Sequence, residues 1–117
     1  SQQTASIAGV IYVRRGELRW AELPGDAGFR PVVIVSRDER LQHRRNVTIA
    51  EVTRVVSELP CEVPLSRNDG MTVDCVINTD NLHTIPQDQL RDVIVTLGAE
   101  RLFQLNQSLE YSLDLQA

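Results

Sequence analysis

Lysine is missing altogether: the twelve basic residues among the 117 are all arginine. Aromatic side chains are scarce, at 4%, so a core has to be assembled from Val, Ile and Leu. No apolar run approaches the roughly 20 residues that span a bilayer. No charged start followed by an apolar stretch and a small-residue cleavage site marks an export signal. The expectation is a cytoplasmic protein with no membrane partner. The two cysteines, Cys61 and Cys75, are too few for a disulfide framework. They form no C-x-x-C and have no histidine at zinc-finger spacing. They read as buried free thiols, and no structural metal is expected. No Gly-x-x-x-x-Gly-Lys loop is present to cradle a nucleotide's phosphates, and no Gly-x-Ser-x-Gly supports a serine hydrolase. No acidic cluster has the makings of a paired Mg²⁺ site. No cofactor is expected.

What is present fits one soluble domain covering residues 1–117, with Ser1 to Ala8 set aside as a loose segment. Hydrophobic residues are 42% and charged residues 24%. The net charge of −4 is unevenly spread: Arg30 to Arg54 carries six arginines against three acids, net +3, whereas Val55 to Ala117 carries three against ten, net −7. A GC-rich genome produces an all-arginine set. Arginine is also the side chain that grips phosphate through two parallel hydrogen bonds. An acidic chain with a local basic segment can bind nucleic acid through that segment.

Periodicity falls into two regimes. From about Gly16 to Ile85 it reads as short strands. Glu17 to Leu23 alternates, with Leu18, Trp20 and also Ala21 and Leu23 on or near the core side. Pro24 to Gly28 is a turn by composition. Pro31-Val32-Val33-Ile34-Val35 has no polar residue, the pattern of a strand buried on both faces. Asn46 to Val56 alternates again around a bulge. Cys61 to Leu65 and Thr72 to Ile77 flank the turn Arg67-Asn68-Asp69-Gly70. The second regime is helical: Leu90, Val93, Ile94 and Leu97 are spaced for one helix face, with Pro86 in its first turn and Gly98 as its C-terminal cap. Leu102, Leu105, Leu109 and Leu113 form a second stripe with Phe103 beside it. The expected fold is α+β: five or six strands in a small curled antiparallel sheet or SH3-like open barrel, followed by two C-terminal helices.

Polar residues stand just outside the strong strands. Arg30 precedes the buried run, Thr53 and Arg54 close the next strand, and Asn81 and His83 alternate after Thr79-Asp80. Singly, each has an ordinary reading: a surface charge, a strand threonine, a half-buried imidazole. His43, in Gln42-His43-Arg44-Arg45, reads as part of a solvated basic loop.

Together and in this order, from about Arg15 to Leu115, these elements resemble the MazF/PemK family. The similarity lies in Arg15-Gly16-Glu17 opening a strand with Trp20, in a glycine-bearing loop running into Arg30-Pro31-Val32-Val33-Ile34-Val35, in a strand ending at Thr53, in Asp74 before a buried strand, and in Asp80-Asn81-Leu82-His83-Thr84-Ile85, expected to open into a helix. The resemblance implies a homodimeric toxin of a type II toxin–antitoxin system, a metal-independent endoribonuclease that cleaves single-stranded RNA at chosen sequences. It also implies a cognate antitoxin whose acidic tail covers the RNA groove. Carried over onto this sequence, Arg30 and Thr53 are the catalytic pair, and Arg54, Asn81, His83, Arg44 and Arg45 are expected to contact RNA. The family commonly has Gln where Asn81 stands and Arg or Lys where His83 stands, so His83 brings an acid–base capacity of its own. Two other functions fit the same architecture. A CcdB-like gyrase poison acts through a Trp-containing C-terminal tail, whereas Leu115-Gln116-Ala117 has none. A non-catalytic RNA-binding small barrel would not need Arg30 and Thr53 in register.

Overall fold

The computed structural model describes residues 6–7, 10–11, 13–25, 28–41 and 43–115. Strands β1 (Ser6–Ile7) and β2 (Val10–Ile11) pair with each other. Six more build the main sheet: β3 (Glu17–Glu22), β4 (Phe29–Ile34), β5 (Asn46–Thr53), β6 (Glu62–Leu65), β7 (Cys75–Pro86) and β8 (Leu90–Thr96). Their order across the sheet is β6-β7-β5-β4-β3-β8, with every pairing antiparallel. A short α1 (Asp38–Leu41) lies between β4 and β5, and α2 (Ala99–Ser112) closes the chain. The sheet is curled and open, not a closed barrel.

The central strands are buried on both faces, as their sequence requires. Val32 and Ile34 of β4 join Val47, Ile49 and Ile85 in one apolar cluster, and Val33 joins Ala50, Val52 and Ile77 in a second cluster on the opposite face. Helix α2 covers the second cluster with fully buried Leu105 and partly buried Leu102 and Leu109. The Thr79 hydroxyl donates to the Cys61 carbonyl at 2.8 Å and meets the Ser112 hydroxyl at 2.6 Å, which fastens the helix end to β7. At Gly16 the chain adopts φ +89°, and a Cβ there would sit 2.8 Å from Leu102 Cδ2. Both the left-handed backbone and the close approach of α2 therefore select glycine.

Three expectations need correcting. Residues 90–96 are a strand, not a helix. The 90, 93, 94, 97 spacing is real but does not mark one face: Leu90 and Leu97 enter different clusters and Val93 is exposed. The β-branched run Val93-Ile94-Val95-Thr96 favours extended backbone, and the free edge of β3 supplies hydrogen-bond partners. Gly98 accordingly caps the N-terminus of α2, and Pro86 ends β7 before a 3₁₀ turn at Gln87–Gln89. The Asp80–Ile85 stretch continues β7 and opens no helix, leaving one C-terminal helix instead of two. Trp20, expected in the core, is 44% exposed. The register of β3 with β4 is unbroken, and the extra residues at its shifts against β8 lie in β8; Arg19, on the face of Ala21, is the buried one, donating to Glu17 at 2.9 Å and to the Arg91 carbonyl at 3.0 Å.

Both cysteines are free and buried, as expected. His43 is exposed. Of the segment set aside at the start, Ser6–Ile7 is strand β1, and the remainder, like Asp26 and Ala27 of the expected turn, lies outside the described residues.

Candidate active site

Strands β4 and β5 run antiparallel with Val32 opposite Glu51, Val33 opposite Ala50 and Ile34 opposite Ile49. Continued by two residues, that register puts Arg30 opposite Thr53. The ladder stops short of them because Pro31 has no amide hydrogen to donate. The strand ends thus lie side by side without pairing to each other, while Arg30 stays opposite Ala21 on β3 and Thr53 opposite Val76 on β7. Both side chains open into one groove of about 700 Å³, lined also by Trp20, Arg54, Met71 and Cys75. Arg30 and Thr53 are half-buried, and Arg54 is exposed.

Neither guanidinium, of Arg30 or of Arg54, has a hydrogen-bond or ion-pair partner among the described residues. The Thr53 Oγ1 accepts the Val55 amide at 3.1 Å, which orients the hydroxyl and leaves its proton free to donate. Burial, with the carboxylates of Asp74 and Asp69 nearby, pushes the Cys75 thiol above its ordinary range; it is held as a neutral thiol, not a nucleophile. At the rim the Arg91 guanidinium stacks over Phe29, 5.4 Å from the ring centre. The far wall is carried by the turn Ser66–Gly70. In it Asp69 accepts the Ser66 amide at 2.8 Å and the Arg101 Nε at 3.0 Å. Gly70 takes φ +93° with Val95 packed against its Cα.

The other expected RNA-binding residues are placed elsewhere. His83 lies on β7 opposite Ile49, and its Nε2 is hydrogen-bonded to the Glu51 carboxylate. Glu51 was not singled out by sequence, because a lone acid inside an alternating strand looks like any solvated face residue. Asn81 is exposed, in the stretch where the β5–β7 register jumps from Glu51 opposite Asn78 to Ala50 opposite Leu82. Arg44 lines a second groove of about 530 Å³ with Arg37, Thr48, Thr84 and Leu109. Arg45 is exposed beside it, its carbonyl taking the Gln87 amide at 2.8 Å. The buried Gln87 side chain fixes this loop further, donating to the carbonyls of Leu41 and Arg44 at 2.8 and 2.7 Å. The basic segment is therefore divided between two grooves. Among the described residues no three His, Cys, Asp or Glu side chains gather as a metal-ligand cluster, and no helix is long and apolar enough to cross a membrane.

The family profile described as PemK-like, MazF-like toxin of type II toxin–antitoxin system matches residues 14–113. The chain belongs to this PemK/MazF toxin family. Among its curated relatives, the probable endoribonuclease MazF2 of Mycobacterium tuberculosis is 37% identical over 101 residues, covering 86% of this chain and 97% of the relative. Endoribonuclease MazF3 of the same species is 35% identical over 86 residues, covering 74% and 84%. Solved structures agree. The M. tuberculosis toxin MazF-mt6 superposes with TM-score 0.78 at 32% identity, over 86% of this toxin and 99% of that chain. A mycobacterial endoribonuclease in complex with its cognate antitoxin superposes with TM-score 0.80 at 26% identity, over 90% and 98%. The PemK/MazF match takes in Arg30, Thr53 and both groove walls.

Proposed function

We propose that the Arg30–Thr53 groove of this endoribonuclease toxin cleaves single-stranded RNA by in-line attack of a 2′-hydroxyl on the adjacent phosphorus. The observation that carries this is the meeting of an unpaired guanidinium and an oriented hydroxyl at two strand ends in one groove. RNA contains its own nucleophile, so the protein has to hold sugar and phosphate in line and stabilise the charge that builds on the phosphoryl oxygens. Arg30 offers a rigid fork of donors for that charge. Thr53 donates to a phosphate oxygen, and Arg54 adds a second cation at the mouth. Arg30 stays charged at any working pH, so it acts through electrostatics. The products are a 2′,3′-cyclic phosphate and a 5′-hydroxyl. No metal ion takes part in this scheme, because Arg30 supplies the positive charge.

The toxin works in the cytoplasm as a homodimer, and a cognate antitoxin silences it by laying an acidic tail over the arginine-bearing surface. The match to a structure solved with its cognate antitoxin supports that partner, as does the net-positive Arg30–Arg54 segment in a net-negative chain. The test is replacement of Arg30. The Arg30→Ala protein should lose at least about 10²-fold in cleavage rate with a smaller loss of RNA binding. Full activity in that variant removes Arg30 from the site.

A further inference from the structure

The reaction needs a proton acceptor that the Arg30 groove does not itself provide. As O2′ bonds to phosphorus its proton has to leave. Among the described lining residues the polar side-chain groups that donate are the guanidiniums of Arg30 and Arg54, the hydroxyls of Thr53 and Thr72, the Trp20 indole N–H and the buried Cys75 thiol. None is a free base near neutral pH. The sheet places one beyond that lining, farther back along β5. Glu51 precedes Thr53 by two residues on β5, so the two side chains leave the same face of the strand, about 6–7 Å apart along it. Continued past the end of its ladder, the register with β4 puts Arg30 on that face too, two residues from Val32, which stands opposite Glu51. From the other side, across β7, His83 reaches over to the Glu51 carboxylate.

Resting on the ribonuclease reading above, we propose that Glu51 is the general base for the 2′-hydroxyl and that His83 is its positioning residue. His83 donates from Nε2 to one carboxylate oxygen and so fixes the other toward the Thr53 end of the strand. The O2′ proton passes to Glu51 as the O2′–P bond forms. The P–O5′ bond breaks, the 5′-oxygen leaves with the bonding pair, and it takes a proton from water. Glu51 shares its cross-strand row with Arg19 of β3, beyond Val32, and with Glu62 of β6, beyond Asn78; next to it along the same face stand Arg30 from β4 and His83 from β7. The side chains packed over this face from elsewhere, Val13, Leu23, Leu41 and Leu90, are apolar. The pair remains reachable, with Glu51 24% and His83 38% exposed.

Glu51→Gln separates this role from a structural one, because the glutamine oxygen still accepts from His83 but takes no proton. On a long single-stranded RNA, wild-type protein should lose kcat as the pH is lowered. Glu51→Gln should show kcat reduced by about 10²-fold or more, no acidic limb, an unchanged KM and an unchanged Tm. Glu51→Asp should restore part of the rate. His83→Gln should lower kcat less and displace the acidic limb without abolishing it. Cleavage by Glu51→Gln at the wild-type rate with the wild-type pH profile overturns the assignment while leaving the ribonuclease reading intact. A wild-type protein that leaves the RNA whole defeats the ribonuclease reading and this inference with it. If Glu51→Gln fails to fold, the pH profiles of the Glu51→Asp and His83→Gln proteins decide, and profiles identical to wild type refute the role.

Discussion

Asp69 is the side chain on which the far wall of the groove rests, and its removal gives an effect that can be worked from its bonds. Its Oδ2 accepts the Ser66 amide at 2.8 Å and its Oδ1 accepts Arg101 Nε at 3.0 Å, with both partners mostly buried. The first bond is half of a capping box around a one-turn helix, worth about 1 kcal/mol. The second is a hydrogen bond between charged groups, worth roughly 1.5–3 kcal/mol. Because they share one carboxylate they do not add fully, and Asp69→Ala should cost about 3 kcal/mol. At roughly 4 °C per kcal/mol for a domain a little over 100 residues, Tm falls by about 10–15 °C at pH 7. Asp69→Asn, which keeps an acceptor for Ser66, should lose about half as much. The Arg101 hydrogen bond, helped by the Ser66 amide and working against burial, holds the Asp69 carboxyl below its ordinary range. Its contribution is thus complete above the unfolded-state pKa of about 3.9 and disappears as pH falls through the lower folded-state value. Thermal scans of wild type and Asp69→Ala should show the Tm gap closing between pH 4 and the strongly acidic end. A gap that is absent at pH 7, or equally wide at both ends, refutes this account of the wall.

Leu105→Ala removes a fully buried anchor of α2 and should cost about 2–5 kcal/mol in urea unfolding; a loss under 1 kcal/mol would mean the helix is not packed as described. Replacing Arg37, Arg44 and Arg45 together should weaken RNA and an acidic antitoxin-tail peptide alike. It should flatten the slope of log affinity against log salt by about one for each phosphate no longer neutralised, and an unchanged slope takes the second groove off the RNA path. Saturating tail peptide should stop cleavage in proportion to occupancy, and full cleavage under saturation contradicts a shared surface.

The parts of this molecule that the sequence spells out are those where one local signal suffices. The all-apolar, β-branched Pro31–Val35 run reads as a strand covered on both faces, and the stripe Leu102, Leu105 and Leu109 reads as a helix face lying on the sheet, whereas Leu113, expected in that stripe, caps α2 and is exposed. Arg30 and Thr53 were singled out because the element order resembles a known family, and the β4–β5 register explains why two residues so far apart in the chain become neighbours. What stayed hidden depends on pairing decided elsewhere. Leu90–Thr96 satisfies a helical spacing by coincidence and becomes a strand because the β3 edge is open to it. Trp20 stays exposed and Arg19 is buried because of what packs beyond each face of β3, which β3 itself does not show. Glu51 meets His83 only because β7 pairs with β5, a contact across 32 residues that no local pattern announces.

The central claim is that Arg30 and Thr53 make RNA attack itself. Its most direct test is to incubate the wild-type protein with a long single-stranded RNA in excess EDTA and analyse the ends of the fragments. Cleavage that persists under chelation and leaves 2′,3′-cyclic phosphate and 5′-hydroxyl termini is the predicted result. Activity that is lost on chelation and restored by Mg²⁺ or Mn²⁺, or fragments that carry 5′-phosphates, would contradict it.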